Sequence, residues 1–291
     1  MFDSIIKDIR YQFDSGNMVT RLIIINTGVF IVTALLKAFF PEFYNVNILP
    51  YLALPGDFQV LLVRPWTLLS HMFMHSGLWH LIWNMLTFYW FGAIAGDLLG
   101  DRRILPVFLL GGLTGAIVYL VSSYFLSLQG GYALGSSAAV LAVVFTAVAT
   151  APEYRINLLF FGEVRIKFIG LIILFLDIIG TQSTHNSGGH LAHLGGALFG
   201  FLFVYLLRRG TDLSRIPNPV SVFSGNKKRP GKRSLKVAYK SNKVTDTSGN
   251  GATGRNPIST RVDEILDKIK QKGYDSLTEE EKDILYQASK Q

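Results

Sequence analysis

Cysteine is absent from this sequence, which excludes a disulfide framework, a thiol nucleophile and thiolate ligation of a metal. Charge is scarce as well. Asp, Glu, Lys and Arg make up 16% of the chain, against about 25% in soluble domains. No secretory leader is expected, because "MFDSIIKDIRYQFDSGNMVTR" mixes charges and lacks a small-residue cleavage site. What is abundant is apolar: hydrophobic residues reach 49% and mean hydropathy is +0.34. They fall in long blocks, which is a membrane composition.

The charge that exists is unevenly placed. Residues 1–207 hold ten Lys/Arg and ten Asp/Glu, whereas residues 208–291 hold eighteen and ten and carry the whole net charge of +8. A basic tail directly after a membrane segment is explained by cytoplasmic retention and attraction to anionic lipid. No nucleic-acid partner is expected.

Six apolar segments are legible: Val19–Phe40, Leu78–Ala95, Ile104–Leu126, Ser136–Ala151, Ile166–Thr181 and His190–Leu207. They predict an all-α polytopic membrane protein with six transmembrane helices. Several are shorter than the ~20 residues of a perpendicular span, which a bundle tolerates when helix ends are buried in protein or face a cavity. Lys7, Arg10 and Arg21, then Arg102 and Arg103, Arg155 and Arg165, and Arg208 and Arg209 mark alternate connections. Both termini are therefore expected in the cytoplasm, with a bacterial inner membrane as the setting. The expected organisation is a cytosolic segment over 1–18, the bundle over 19–207, a flexible basic linker over 208–259 and a cytosolic helical hairpin over 260–291. In the hairpin, Val262, Ile265, Leu266 and Ile269 share a face, and Ser276/Glu279 and Thr278/Glu281 both offer capping boxes.

Polar side chains inside spans are costly and read as functional by default. Three clusters stand out: "HMFMHSGLWHLIWN" with His71, His75, His80 and Asn84; "GSSA" with Ser136 and Ser137; and "GGHLAHLGGALFG" with His190 and His193. The orientation above puts His80, the serines and the last two histidines at one depth, near the outer face. His193, Gly196 and Gly200 share one face of the last helix, and the two glycines permit close backbone approach. That packing would bring an imidazole to a serine hydroxyl, as a general base needs its nucleophile. A helix start at Ser137 adds free N–H groups for an oxyanion, and His80 and Asn84, at i and i+4, offer further donors. Asp177 reads as snorkelling or structural.

This set resembles the rhomboid family of intramembrane serine proteases over residues 19–207. "GSSA" corresponds to its nucleophile motif, "AHLGG" to its last-helix histidine and "HLIWN" to its H-x-x-x-N on the second helix. The resemblance implies a six-helix rhomboid bundle that cleaves transmembrane protein substrates near the outer membrane face, favouring small residues at the cut. It implies a dyad of Ser137 as nucleophile and His193 as base, with His80 and Asn84 near the oxyanion, and no metal or organic cofactor. Three positions depart from the family pattern: Ala138 follows the serine where many members have Gly, Leu141 stands where some stack an aromatic on the histidine, and Thr67 follows Trp66 where an arginine is common. His193 then needs other contacts to orient it, with His190 a candidate. Two rivals remain. One is a metal site using His71 and His75 at i, i+4, weakened because no acidic residue falls among the histidines in sequence. The other is a catalytically silent scaffold that binds transmembrane clients.

Overall fold

A computed structural model describes residues 2–125, 131–158, 162–182, 186–215 and 257–288. Contacts divide the chain into two units, Met1–Gly225 and Asn226–Gln291.

The first unit is a helical polytopic membrane bundle. Its helices are α1 (Phe2–Ser15), α2 (Met18–Phe39), α3 (Leu78–Leu99), α4 (Ile104–Phe125), α5 (Ser137–Thr150), α6 (Ile166–Gly180) and α7 (Ser187–Arg208). Met18–Phe39, Asp101–Phe125 and Ser187–Arg208 are long and apolar enough to cross a membrane. Helix α3 is as long as α2 but carries His80, Asn84 and Asp97. The six apolar segments become α2 to α7, with two ends displaced. Helix α3 runs on past Ala95, since Gly96 and Asp97 fit a helix, until Gly100 turns the chain at φ 92. Helix α7 starts at Ser187, before the expected His190, because Gly188 and Gly189 are already helical.

The short helix α5 lies at the centre. Every residue from Ala138 to Val148 is buried, against α3, α4 and α7, so its brevity exposes no backbone to lipid. Glycines set how closely the neighbours approach. A Cβ on Gly196 would lie 2.0 Å from the Ala138 carbonyl oxygen, and one on Gly200 would lie 2.5 Å from that of Ala142. From α4, a Cβ on Gly111 would sit 2.1 Å from the Ala142 methyl and one on Gly115 2.5 Å from the Ala138 methyl. The extra methyl of Ala138 is thus accommodated by Gly115.

Between α2 and α3 the chain forms short helical turns, including Phe58–Val63 and Thr67–Ser70, and a strand β1 (Leu54–Pro55) that pairs antiparallel with β2 (Tyr132–Ala133) just before α5. Side chains pin this excursion to itself. Trp66 Nε1 donates to the Tyr51 carbonyl at 2.8 Å, Arg64 donates to that of Pro50 at 2.9 Å, and Thr67 Oγ1 donates to that of Arg64 at 2.7 Å. Phe43, Val46, Phe58, Leu62, Val63 and Trp66 stay exposed, an apolar surface suited to the membrane interface.

The opposite end of the bundle holds a hairpin of β3 (Arg155–Leu158) and β4 (Gly162–Arg165). There Arg103 pairs with Asp212 at 2.8 Å. Burial pushes the Asp212 carboxyl up, but hydrogen bonds from Ser214 and Arg103 outweigh it and hold it below its usual range.

In the second unit, α8 (Pro257–Lys272) ends before Gly273 at φ 81, and α9 (Glu279–Ala288) follows. Of the two capping boxes, Thr278/Glu281 forms: Thr278 N donates to Glu281 Oε2 at 2.8 Å, and Glu281 N donates back to Thr278 Oγ1 at 3.4 Å. Residues 216–256, most of the expected linker, lie outside the described residues.

The glycine packing generates a test. Gly196→Val should lower the thermal unfolding midpoint of the protein in lipid nanodiscs, at a cost of about 1–3 kcal/mol or more for overpacking. Gly28→Ala, where nothing lies within 4 Å of the added Cβ, should leave the midpoint unchanged or raise it slightly, since Ala favours a helix interior over Gly. Equal effects would refute the packing argument.

Candidate active site

Gly135 prepares the start of α5. Its φ of 138 suits glycine, its N–H donates to the His71 carbonyl at 3.0 Å, and a Cβ there would lie 2.8 Å from the His80 ring. The chain can therefore turn into α5 directly beside that imidazole. Ser136 and Ser137, adjacent in sequence, then part company. Ser136 is 0% exposed and its hydroxyl meets His75 Nε2 at 3.0 Å. Ser137, the first residue of α5, presents its hydroxyl to His193 Nε2 at 2.6 Å.

The Ser137–His193 pair borders two cavities. One, of about 490 Å³, is lined by His71, Ser76, His80, Tyr119, Ser137 and His193 among others. The second, of about 290 Å³, lies between α3 and α6 and includes Trp83, Asn84, Leu141, Leu176, Ser137 and His193. His80 lines both. The Ser76 backbone N–H donates to His80 Nδ1 at 3.5 Å, and the Ser76 hydroxyl lies 3.0 Å from the same atom. A backbone N–H can only donate, so this long contact favours Nδ1 as the acceptor and the proton on Nε2, whereas the Ser76 hydroxyl is compatible with either tautomer. Asn84 is buried on the same helix face, and its Nδ2 donates to the His80 carbonyl at 2.8 Å. All four residues expected at the site, Ser137, His193, His80 and Asn84, line the α3–α6 cavity together.

The sequence left two readings of Asp177, snorkelling or structural, and the structure overturns the first. Asp177 does not snorkel: it is 7% exposed and turned inward, where its Oδ1 meets His193 Nδ1 at 2.7 Å and His190 Nδ1 at 2.8 Å. An acidic residue does therefore fall among the histidines, in space rather than in sequence. His190 bonds this carboxylate, and its ring stands edge-on to that of His193 at 5.6 Å. The rule that an ionisable group in a span is functional by default is the signal that could have found Asp177, and the sequence reading did not apply it there. The ligand atoms of Asp177, His190 and His193 lie within 4.8 Å of one another, a set that could hold a metal ion. His71 and His75 do not act as a pair: His71 Nδ1 donates to the Thr67 carbonyl at 2.8 Å, whereas His75 serves Ser136.

A helical membrane bundle with a serine–imidazole contact at the start of a buried helix defines a narrow class. A model of the rhomboid domain matches residues 63–210, and a family of unknown function, DUF6576, matches residues 255–291. The chain belongs to the rhomboid family. It is 28% identical over 208 residues to RHOMBOID-like protein 12, mitochondrial, of Arabidopsis thaliana, covering 67% of this chain and 59% of that protein. It is 29% identical over 136 residues to presenilin-associated rhomboid-like protein A, mitochondrial, of Danio rerio, covering 45% and 35%. Rhomboid-related protein 1 of Caenorhabditis elegans is 29% identical over 152 residues, covering 49% and 40%. The chain thus spans between about a third and three fifths of the length of these relatives.

The separate roles of the two serines are testable. Ser136→Ala should lower the unfolding midpoint, since it leaves the buried His75 nitrogen without its hydroxyl partner at about 1–3 kcal/mol. An unchanged midpoint would mean that the bond contributes nothing.

Proposed function

We propose that the protein is an intramembrane serine endopeptidase that cleaves transmembrane protein substrates near the outer membrane face. The observation carrying this reading is the 2.6 Å contact between Ser137 Oγ and His193 Nε2 at a cavity wall. In this reading Ser137 is the nucleophile and His193 the general base. A substrate helix enters laterally and partly unwinds. The Ser137 oxygen attacks the exposed carbonyl carbon as its proton passes to His193 Nε2. The oxyanion is held by the Nε2–H of His80, the Asn84 amide and backbone N–H groups at the start of α5. His193 then returns the proton to the leaving amine, and water hydrolyses the acyl-enzyme in the same two steps. No metal or cofactor enters this chemistry.

Family membership alone is compatible with a silent scaffold that binds clients without cutting them. The serine–imidazole contact and the two flanking cavities favour the protease, since a client-binding surface requires neither. The substrate side is a transmembrane protein together with the surrounding lipid. Both termini are proposed to face the cytoplasm of a bacterial inner membrane, from the Lys/Arg distribution, although two of the relatives above are named as mitochondrial.

The test uses purified protein in liposomes with a reporter transmembrane substrate carrying small residues at the cut. Wild type and Ser136→Ala should cut, whereas Ser137→Ala and His193→Ala should lose at least about 10³-fold in kcat. His80→Ala or Asn84→Ala should cost roughly 10²-fold, the lower end for removal of one oxyanion donor. Chelators should leave the rate unchanged. Cutting by Ser137→Ala would overturn the dyad, loss with chelator would favour the metal reading, and no cutting across several substrates would favour the scaffold.

A further inference from the structure

Three observations converge on α6. Its outward residues Phe168, Leu171, Ile172, Phe175, Leu176 and Ile179 are exposed apolar side chains, which in a bilayer face lipid. Its buried residues are Ile166, Gly170 and Asp177. Ile166 and Gly170 lie in the first half of the helix; beyond the partly buried Ile173 and Leu174, which pack on the core, Asp177 is the one buried residue of the second half. The third observation lies at the last residue of the helix. A Cβ on Gly180 would sit 2.5 Å from the His190 ring, so the imidazole rests directly on α6 backbone. The carboxylate and this glycine together make a fitted seat for two imidazoles from α7.

We propose that Asp177 is a positioning residue for His193, turning the serine–histidine pair into a relay of Asp177, His193 and Ser137. This rests on the protease reading above. A carboxylate accepts hydrogen bonds and cannot donate them when ionised. The 2.7 Å contact therefore keeps the His193 proton on Nδ1 and leaves the Nε2 lone pair facing the Ser137 hydroxyl. The opposite tautomer would place a proton on Nε2, and that nitrogen could no longer accept the serine proton. The negative charge also stabilises the imidazolium formed when the proton is taken. His190 donates to the same oxygen at 2.8 Å and fixes the carboxylate in turn. The relay supplies the orienting contact that an aromatic at Leu141 does not give.

The second cavity opens between α3 and α6 and is lined by Asp177 and Leu176. A large outward swing of α6 would carry Asp177 away from His193 and disarm the base, so α6 must stay closed, or close again, when the serine attacks.

The test compares wild type, Asp177→Asn, Asp177→Ala, Asp177→Glu and Gly180→Ala in liposomes. Tautomers of ¹⁵N-histidine-labelled protein are read by NMR, with His193→Gln to assign the signal. Wild type should show His193 protonated on Nδ1, and Asp177→Asn should move the proton to Nε2. In cleavage, Asp177→Asn and Asp177→Ala should lower kcat by roughly 10²–10⁴-fold with KM changed less than about threefold. Asp177→Glu should recover part of the loss, and Gly180→Ala should fall between it and wild type. A purely structural Asp177 would instead lower the unfolding midpoint and active fraction and leave the tautomer in place. An unchanged tautomer or kcat in Asp177→Asn overturns the proposal. If wild type itself does not cut, the protease reading fails, and the tautomer comparison still decides whether Asp177 orients His193.

Discussion

The site depends on two backbones coming closer than side chains normally allow. Gly196 and Gly200 of α7 lie against the Ala138 and Ala142 carbonyls of α5, and no bulkier residue fits without displacing main chain. Lipid gives helices little hydrophobic reason to associate, so close packing of small residues supplies much of the drive. That contact sets the height of His193 relative to Ser137, because Gly196 follows His193 by three residues on the same face. Gly111 and Gly115 of α4 close in from another side, and α5 ends up enclosed by protein along most of its length.

Enclosure has a chemical consequence. At 14 residues, α5 is about 21 Å long at 1.5 Å per residue, less than the ~30 Å hydrocarbon core. At least one of its ends lies below a membrane surface, and at the Ser137 end a 490 Å³ cavity lined by histidines, serine and tyrosine fills the difference. Most polar groups of the site have a partner at such depth: Ser136 has His75, His80 has Ser76, and Asp177 has His190 and His193, whereas the buried His75 Nδ1 has none among the described residues. Low dielectric then strengthens each hydrogen bond and penalises the loss of any one partner.

Much of this was legible in the residues. Long apolar blocks locate α2 to α7 to within a few residues, and the G-x-x-x-G of α7 correctly indicates which face approaches α5. His80, Ser137 and His193 were legible as one cluster because each begins or nearly begins its helix at the same end. What escaped was pairwise. The family resemblance implied Ser137 with His193, but nothing in "GSSA" says that the first serine turns to His75; that division follows from the turn at Gly135. The inward rotation of Asp177 escaped for a related reason. Near the end of an apolar helix, snorkelling and inward packing have the same sequence signature, and they differ only by which face meets α7. The start of the last segment, expected at His190, also slipped, since Gly188 and Gly189 continue the helix once packing holds them.

The account turns on Ser137 being an activated nucleophile and not a buried hydroxyl that happens to touch an imidazole. Covalent trapping reads this without any knowledge of the substrate. Protein in lipid is incubated with a fluorophosphonate, and the adduct is mapped by peptide mass spectrometry in wild type and in His193→Ala. The expected result is a single adduct on Ser137, absent from Ser136 and lost in His193→Ala. An adduct on another residue, or undiminished labelling of Ser137 without His193, would contradict the account.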